Sequence, residues 1–334
     1  MTHVNIALPL LIGLVLMALA FDFLNGLHDS ANSIATVVST KLLSPVQAVA
    51  FAAFFNFSAY WVFGLKVAGT IGKGIIDKSV ITPEVIFGAL VGAMTWNVIT
   101  WWKGIPSSSS HALIGGLLGA GVTHAGWHAV VWPGVDKTLS AIVLSPAVGL
   151  VMSMLLMLLT SWLFVKSTAR GAEAVFKKLH LVSAAAYSVG HGANDAQKTM
   201  GLIAVLLYSQ GYMGGHFHVP GWVVLCCYTA MGLGTLTGGW KIIETLGRRV
   251  TRLDHHQGFC ASLGGSIMLF AATFWGVPVS TTHTITGCVV GVGAARRESA
   301  VRWGVTQRMA LAWIVTIPAS AAVGAAFYLL ASLF

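Results

Sequence analysis

The chain has 334 residues, of which 56% are hydrophobic and only 9% charged. Soluble domains carry about 25% charged residues, so this composition cannot clothe a water-facing surface and excludes an ordinary soluble enzyme or binding module. The net charge of +9 is concentrated in a few loops, which reads as the cytoplasmic side of a membrane protein and not as a nucleic-acid surface.

Apolar stretches recur near residues 5–24, 44–65, 84–102, 139–165, 183–209, 221–239, 258–276 and 309–333. A span needs roughly 20 apolar residues, and most of these qualify. The first has no Lys or Arg ahead of it and no small-residue cleavage site, so it reads as a span and not a signal peptide. Shorter apolar pieces beside glycine, proline and hydroxyl clusters predict broken or re-entrant helices. The expectation is an all-α, multi-pass membrane protein of about 10 segments. Cys226, Cys227, Cys260 and Cys288 lie in or beside apolar segments without CxxC spacing, as inert buried thiols do.

Four elements carry chemistry. Asn25-Gly26-Leu27-His28-Asp29-Ser30-Ala31-Asn32 ends the first apolar run, with Asp22 earlier on the same helix. Gly104-Ile105-Pro106-Ser107-Ser108-Ser109-Ser110-His111 interrupts a later one. Past the basic segment Lys166 to Lys178 comes His191-Gly192-Ala193-Asn194-Asp195-Ala196-Gln197-Lys198, and then Gly276-Val277-Pro278-Val279-Ser280-Thr281-Thr282-His283. The second and fourth align without gaps through Gly115, Gly119 and Gly121 against Gly287, Gly291 and Gly293. The first and third share a glycine and an aspartate, in the same order relative to the hydroxyl elements. The chain therefore reads as duplicated, with residues 1–165 as one repeat, 166–182 as a short basic linker and 183–334 as the second repeat.

Basic loops at 166–182, 240–256 and 295–308 set the cytoplasmic side and put the uncharged loop 210–220 outside. The segment of Asp195 then runs outward and that of Asp29 inward, giving inverted repeats. The loop 66–83, with Lys66, Lys73 and Lys78, runs against this assignment.

Proline at a first helical turn, with Ser or Thr as cap, marks each hydroxyl element as the start of a short helix after a break. Such a start offers unpaired N–H groups and partial positive charge, which suit an oxyanion. Hydroxyls add donors without a fixed charge that would trap the ion. Two starts from antiparallel halves could grip one tetrahedral anion. Alternatively, the hydroxyls only cap broken helices and pack between neighbours. Asp29 and Asp195 are ionisable groups at membrane depth, functional by default, and with nearby amides they suit a hard cation. For Asp22 an ion pair with Lys198 is an equal alternative. His28, His111, His191 and His283 are candidate proton relays or hydrogen-bonding residues. His124, His128, His180, His255 and His256 carry no signal, and His216-Phe217-His218 is a weak metal pattern.

These motifs together resemble the inorganic phosphate transporter (PiT) family, and above all its bacterial low-affinity Pit carriers, over nearly the whole chain. The resemblance implies that Ser108, Ser109, Ser110, Ser280, Thr281 and Thr282 lie near phosphate. It implies that Asp29, Asn32, Asn194 and Asp195 lie near the coupling cation, and that the carrier is a homodimer in the bacterial inner membrane. Sodium-coupled members usually read Gly-x-Asn-Asp in both aspartate motifs, whereas this chain has His28 in the first. The Pit carriers share that histidine and resemble proton symporters, with phosphate taken as a neutral metal complex among their options.

The resulting expectation is a proton-coupled phosphate symporter without a cofactor, its coupling ion H⁺ or Na⁺. Sodium-coupled phosphate symport and sulfate permeation are the alternatives within transport. An intramembrane serine hydrolase, with a serine of 107–110 and His111, and a channel are the alternatives outside it.

Overall fold

The computed structural model describes residues 7–214 and 216–333. Positions 5 and 6 of the first predicted span lie outside them. Among the described residues the regular elements are helices, with an isolated antiparallel bridge between Ile76 and Val130. In order they are α1 Leu8–Ser39, α2 Pro45–Ser58, α3 Lys66–Gly74, α4 Pro83–Lys103, α5 Ser109–Ala125 and α6 Trp132–Leu163. Then follow α7 Ala169–Ser209, α8 Gly221–Thr237, α9 Trp240–Glu244, α10 His255–Trp275, α11 Thr281–Arg296 and α12 Trp303–Ala331.

Five helices (α1, α4, α6, α10 and α12) are long and apolar enough to cross a membrane, or seven spans if each bent pair counts as one. The bent pairs are α2 with α3, at 87°, and α8 with α9, at 68°. Three physical reasons separate this from the expected ten segments. The helices α5 and α11 have 17 and 16 residues, too short to span alone. The bends make one path from two apolar pieces. The centre of α7 carries His191, Asn194, Asp195, Gln197 and Lys198, which lowers its hydropathy although all five are buried. The expected linker 166–182 is not a loop: from Ala169 it is the first part of the 41-residue α7. At 1.5 Å per residue that helix is roughly 60 Å long, well beyond a bilayer core.

Local sequence explains the breaks. α4 and α10 end at Gly104 and Gly276, both left-handed with φ of 66° and 69°, a conformation glycine adopts without steric cost. The next residues run to Pro106 and Pro278. The chain then restarts at α5 and α11, with Ser108 and Ser280 accepting the N–H of His111 and His283 at 3.3 and 3.2 Å. Two long helices flank these short ones. Gly119 of α5 lies against the Ala321 backbone of α12, and Gly291 of α11 against Leu150 and Ser153 of α6, where a Cβ would collide. Both long helices contain a proline, Pro146 and Pro318.

Candidate functional site

The midpoints of α1 and α7 and the starts of α5 and α11 meet in the interior. Asp29, Asn32, Asn194, Asp195, Ser108, Ser109, Ser110, Ser280, Thr281 and Thr282 are all buried, but they do different things.

Ser108 and Ser280 are the helix caps just described. The side chains that meet the aspartates are the next ones in line. Ser109 Oγ lies 2.8 Å from Asp29 Oδ2 and 2.5 Å from Asn25 Oδ1. Thr281 Oγ1 donates to Asp195 Oδ2 at 2.8 Å. Thr282 Oγ1 donates to the Ser107 carbonyl at 3.1 Å and lies 3.3 Å from Asp29 Oδ1, so the start of α11 touches the break before α5. Asn32 Nδ2 reaches Thr282 Oγ1 at 2.9 Å and Thr281 Oγ1 at 3.3 Å, while its Oδ1 is buried without a partner among the described residues. Asn194 turns elsewhere. Its Oδ1 accepts the Val279 N–H at 3.3 Å and its Nδ2 faces Thr273 and the Val277 carbonyl, so it braces the break before α11.

Lys198 departs from the expectation of a site without a fixed positive charge. Its ammonium donates to Ser110 Oγ, to Asp195 Oδ1 and, at 2.7 Å, to the Val279 carbonyl. The i,i+3 spacing on α7 pairs it with Asp195, which corrects the alternative of an Asp22–Lys198 pair. Asp22 is fully buried, and neither carboxylate oxygen has a hydrogen-bond partner among the described residues.

The four histidines divide into two pairs. His28 Nδ1 lies 2.7 Å from Asp29 Oδ1, and its Nε2 lies 3.1 Å from Thr100 Oγ1. Thr100 Oγ1 donates to the Trp96 carbonyl at 2.9 Å and accepts from Ser107 Oγ at 2.9 Å, and Ser107 Oγ lies 3.4 Å from His28 Nε2. His191 Nδ1 faces Asn56 Oδ1 at 3.1 Å, while Asn56 Nδ2 donates to Thr235. The amide orientation makes Nδ1 the protonated nitrogen and turns Nε2 towards Asp195 Oδ2. That pair is 3.2 Å apart but out of line for a hydrogen bond, so proximity and not bonding describes it. Asp29, His191 and Asp195 bring one ligand atom each within 4.8 Å of one another, a carboxylate–imidazole set able to hold a cation.

His111 and His283 lie apart from the carboxylates. Their rings pack edge to face at 4.7 Å, and His283 stacks on Trp313 at 3.9 Å. Sequence reasoning passed over Asn25, Asn56, Thr100 and Lys198 as site members. Asn25 and Lys198 stand inside the two aspartate motifs, so a helical spacing test around Asp29 and Asp195 could have found them. Asn56 and Thr100 lie on α2 and α4 and gave no sequence signal.

The profile of the phosphate transporter family (PHO4) matches residues 25–324. The chain belongs to that family. It is 60% identical over 98% of both chains to a Rhizobium meliloti (strain 1021) protein named "Probable low-affinity inorganic phosphate transporter". It is 44% identical to a Bacillus subtilis (strain 168) protein of the same name, over 99% of this chain and 100% of the other. A solved structure described as "The sodium-dependent phosphate transporter" is 27% identical with a TM-score of 0.89, covering 98% of this chain and 100% of that one. The family and these relatives are transporters, so the serine hydrolase alternative falls and Ser109 and His111 have no nucleophilic role. The resemblance read from the motifs holds, and the chain is a multi-pass membrane transporter with several apolar helices.

Proposed function

We propose that the chain is a secondary active symporter that carries inorganic phosphate across the cell membrane, driven by protons. The observation that carries this reading is the contact of Ser109 with Asp29 and of Thr281 with Asp195. The first-turn N–H groups at Ser109, Ser110, Thr281 and Thr282 have no carbonyl four residues back within their helices, so they are available to an oxyanion. The hydroxyl hydrogens that would complete the grip are held by carboxylates. A proton or cation on Asp29 or Asp195 weakens that hold and frees Ser109 and Thr281 to turn to phosphate. Anion and cation binding then reinforce each other, the linkage that symport needs. Lys198, whose three N–H donors are taken by Ser110, Asp195 and the Val279 carbonyl, adds a positive charge beside the hydroxyls.

The His28–Asp29 pair supports the proton as coupling ion. His28 Nδ1 lies 2.7 Å from Asp29 Oδ1, so an imidazole, the side chain best suited to carrying a proton near neutrality, sits directly on the carboxylate that Ser109 contacts. Sodium is the second reading, favoured by the sodium-dependent solved relative and the Asp29–His191–Asp195 set. Transport of phosphate as a metal complex is an option within either.

Inverted repeats also belong to this proposal, and the structure supplies matched interlocks in their support. Lys66 Nζ of α3 reaches the Phe274 carbonyl at the end of α10, and Lys241 Nζ of α9 reaches the Trp102 carbonyl at the end of α4, each at 3.0 Å. Thr70 and Thr245 donate to the carbonyls of Gly276 and Gly104 at 2.8 and 3.0 Å. Each half clamps the other's break with the same two residue types. The family resemblance further supports a homodimer.

The test of cargo is uptake of labelled phosphate by the purified protein in proteoliposomes, with competitors. Sulfate lacks the O–H that a carboxylate beside the anion can accept, whereas arsenate keeps it, so arsenate should compete far better. Equal competition by sulfate would move the cargo to sulfate.

A further inference from the structure

Well away from the aspartates, the connector between α11 and α12 walls a cavity of about 400 Å³, whose lining includes Thr251, Arg252, Arg296, Arg297, Ser299 and Arg302. We propose that this cavity binds a phosphoryl-bearing anion, either the headgroup of an anionic phospholipid or free inorganic phosphate. α11 rises about 24 Å from Thr281 to Arg296, so the cavity is separate from the transport site.

Several observations carry the assignment. The four arginines are exposed, and none forms an ion pair or side-chain hydrogen bond among the described side chains. No carboxylate is among the described residues that line the cavity. Gathering four like charges is unfavourable unless an anion neutralises them, and guanidinium matches phosphate with paired N–H donors. The walls are fixed: Thr251 Oγ1 donates to the Ala300 carbonyl at 3.0 Å, and the Arg302 N–H donates to the Val250 carbonyl at 2.9 Å. The 29-residue α12 starts at Trp303 beside Arg302, so the positive end of its dipole adds to the field. Sorting of basic loops to one membrane face would scatter arginines along it and would not by itself close them around a cavity. The connector between α5 and α6 has the same short turn followed by a tryptophan-led helix, but it carries Trp127 and His128 and no arginine.

The test uses the full chain in a neutral detergent and the variant Arg296→Gln/Arg302→Gln. Native mass spectrometry with phosphatidylglycerol, against phosphatidylcholine, reads the lipid source. Equilibrium dialysis with labelled inorganic phosphate reads the free anion as a number of sites per chain. Each arginine removed should weaken binding about fivefold, so the double variant should lose phosphatidylglycerol adducts or one phosphate site. Arg297→Gln alone, with a smaller loss, covers the case in which the double variant does not fold. Unchanged binding of both ligands in the folded variants would overturn the proposal. Because phosphatidylglycerol binding does not depend on the transport site, failure here and failure of the transport reading are separable.

Discussion

At the residue scale the site is built on shared hydrogens. One hydroxyl hydrogen on Ser109 serves both Asn25 and Asp29, and that on Thr281 serves Asp195. Removing either hydroxyl leaves a buried carboxylate short of a donor and, in the proposed site, takes a donor from phosphate. Such a contact is worth roughly 1–3 kcal/mol, or about 5- to 150-fold in affinity. Ser109→Ala and Thr281→Ala should therefore raise the phosphate KM within that range, while Ser79→Ala, whose hydroxyl contacts only Asp77 in an exposed turn, should leave it unchanged. Normal transport by both site variants would contradict the helix-start site. Asp22 calls for a different expectation. Asp22 is fully buried beside Thr199, Asn25 and Cys227, and a buried carboxylate without a counter-charge is costly when ionised, so Asp22→Asn should melt in detergent at the same temperature or higher. A clear drop in melting temperature would show that Asp22 has a stabilising partner. The motif residues on α1, α5, α7 and α11 were legible because spacing and repetition exposed them. Their division of labour was not. Whether Ser108 caps or Asn194 braces depends on which neighbour lies within reach, and Thr100 and Asn56 enter from helices that carry no motif.

At the element scale, the breaks before α5 and α11 were legible from proline followed by hydroxyls, and the glycines at 104 and 276 end the preceding helices as that pattern requires. What sequence could not give was the pair of bent helices, α3 and α9, that hold those ends. By sequence their lysines read as loop charges, and Lys66 runs against the assigned orientation. In the structure Lys66 and Lys241 lie on the terminal carbonyls of α10 and α4, where a cation is favoured by the helix dipole and by unpaired carbonyls. Lys66→Met and Lys241→Met should each lower stability by about 1 kcal/mol, read as similar decreases in melting temperature. A marked inequality between the two would count against equivalent roles in a duplicated fold. α7 was under-read for a different reason: its first turns are basic and mostly exposed, so 183–209 reads as the apolar stretch while the helix already begins at Ala169.

At the scale of the whole molecule, α6 and α12 turn large apolar side chains outward, Leu158 at 70% and Ile314 at 73% exposed among them, as helices facing lipid do. The polar groups are gathered on the inner faces of α1, α5, α7 and α11. This separation was evident from composition alone; the packing that brings Thr282 onto Ser107 was not. It places the His28–Asp29 pair against the hydroxyls of both helix starts, so that in the proposed symport a cation on Asp29 releases donors to the anion. Replacing His28 by Asn should abolish proton-driven accumulation while sparing phosphate exchange at equilibrium, measured as counterflow. Retained accumulation in His28→Asn would move the coupling proton to another group. The most direct test of the account is uptake of labelled phosphate into proteoliposomes under an imposed inward proton gradient, with all sodium replaced by choline. Accumulation above equilibrium that collapses when the gradient is dissipated is the predicted result. Uptake that requires sodium and ignores the proton gradient would contradict proton coupling, and no phosphate uptake under either gradient would contradict the carrier itself.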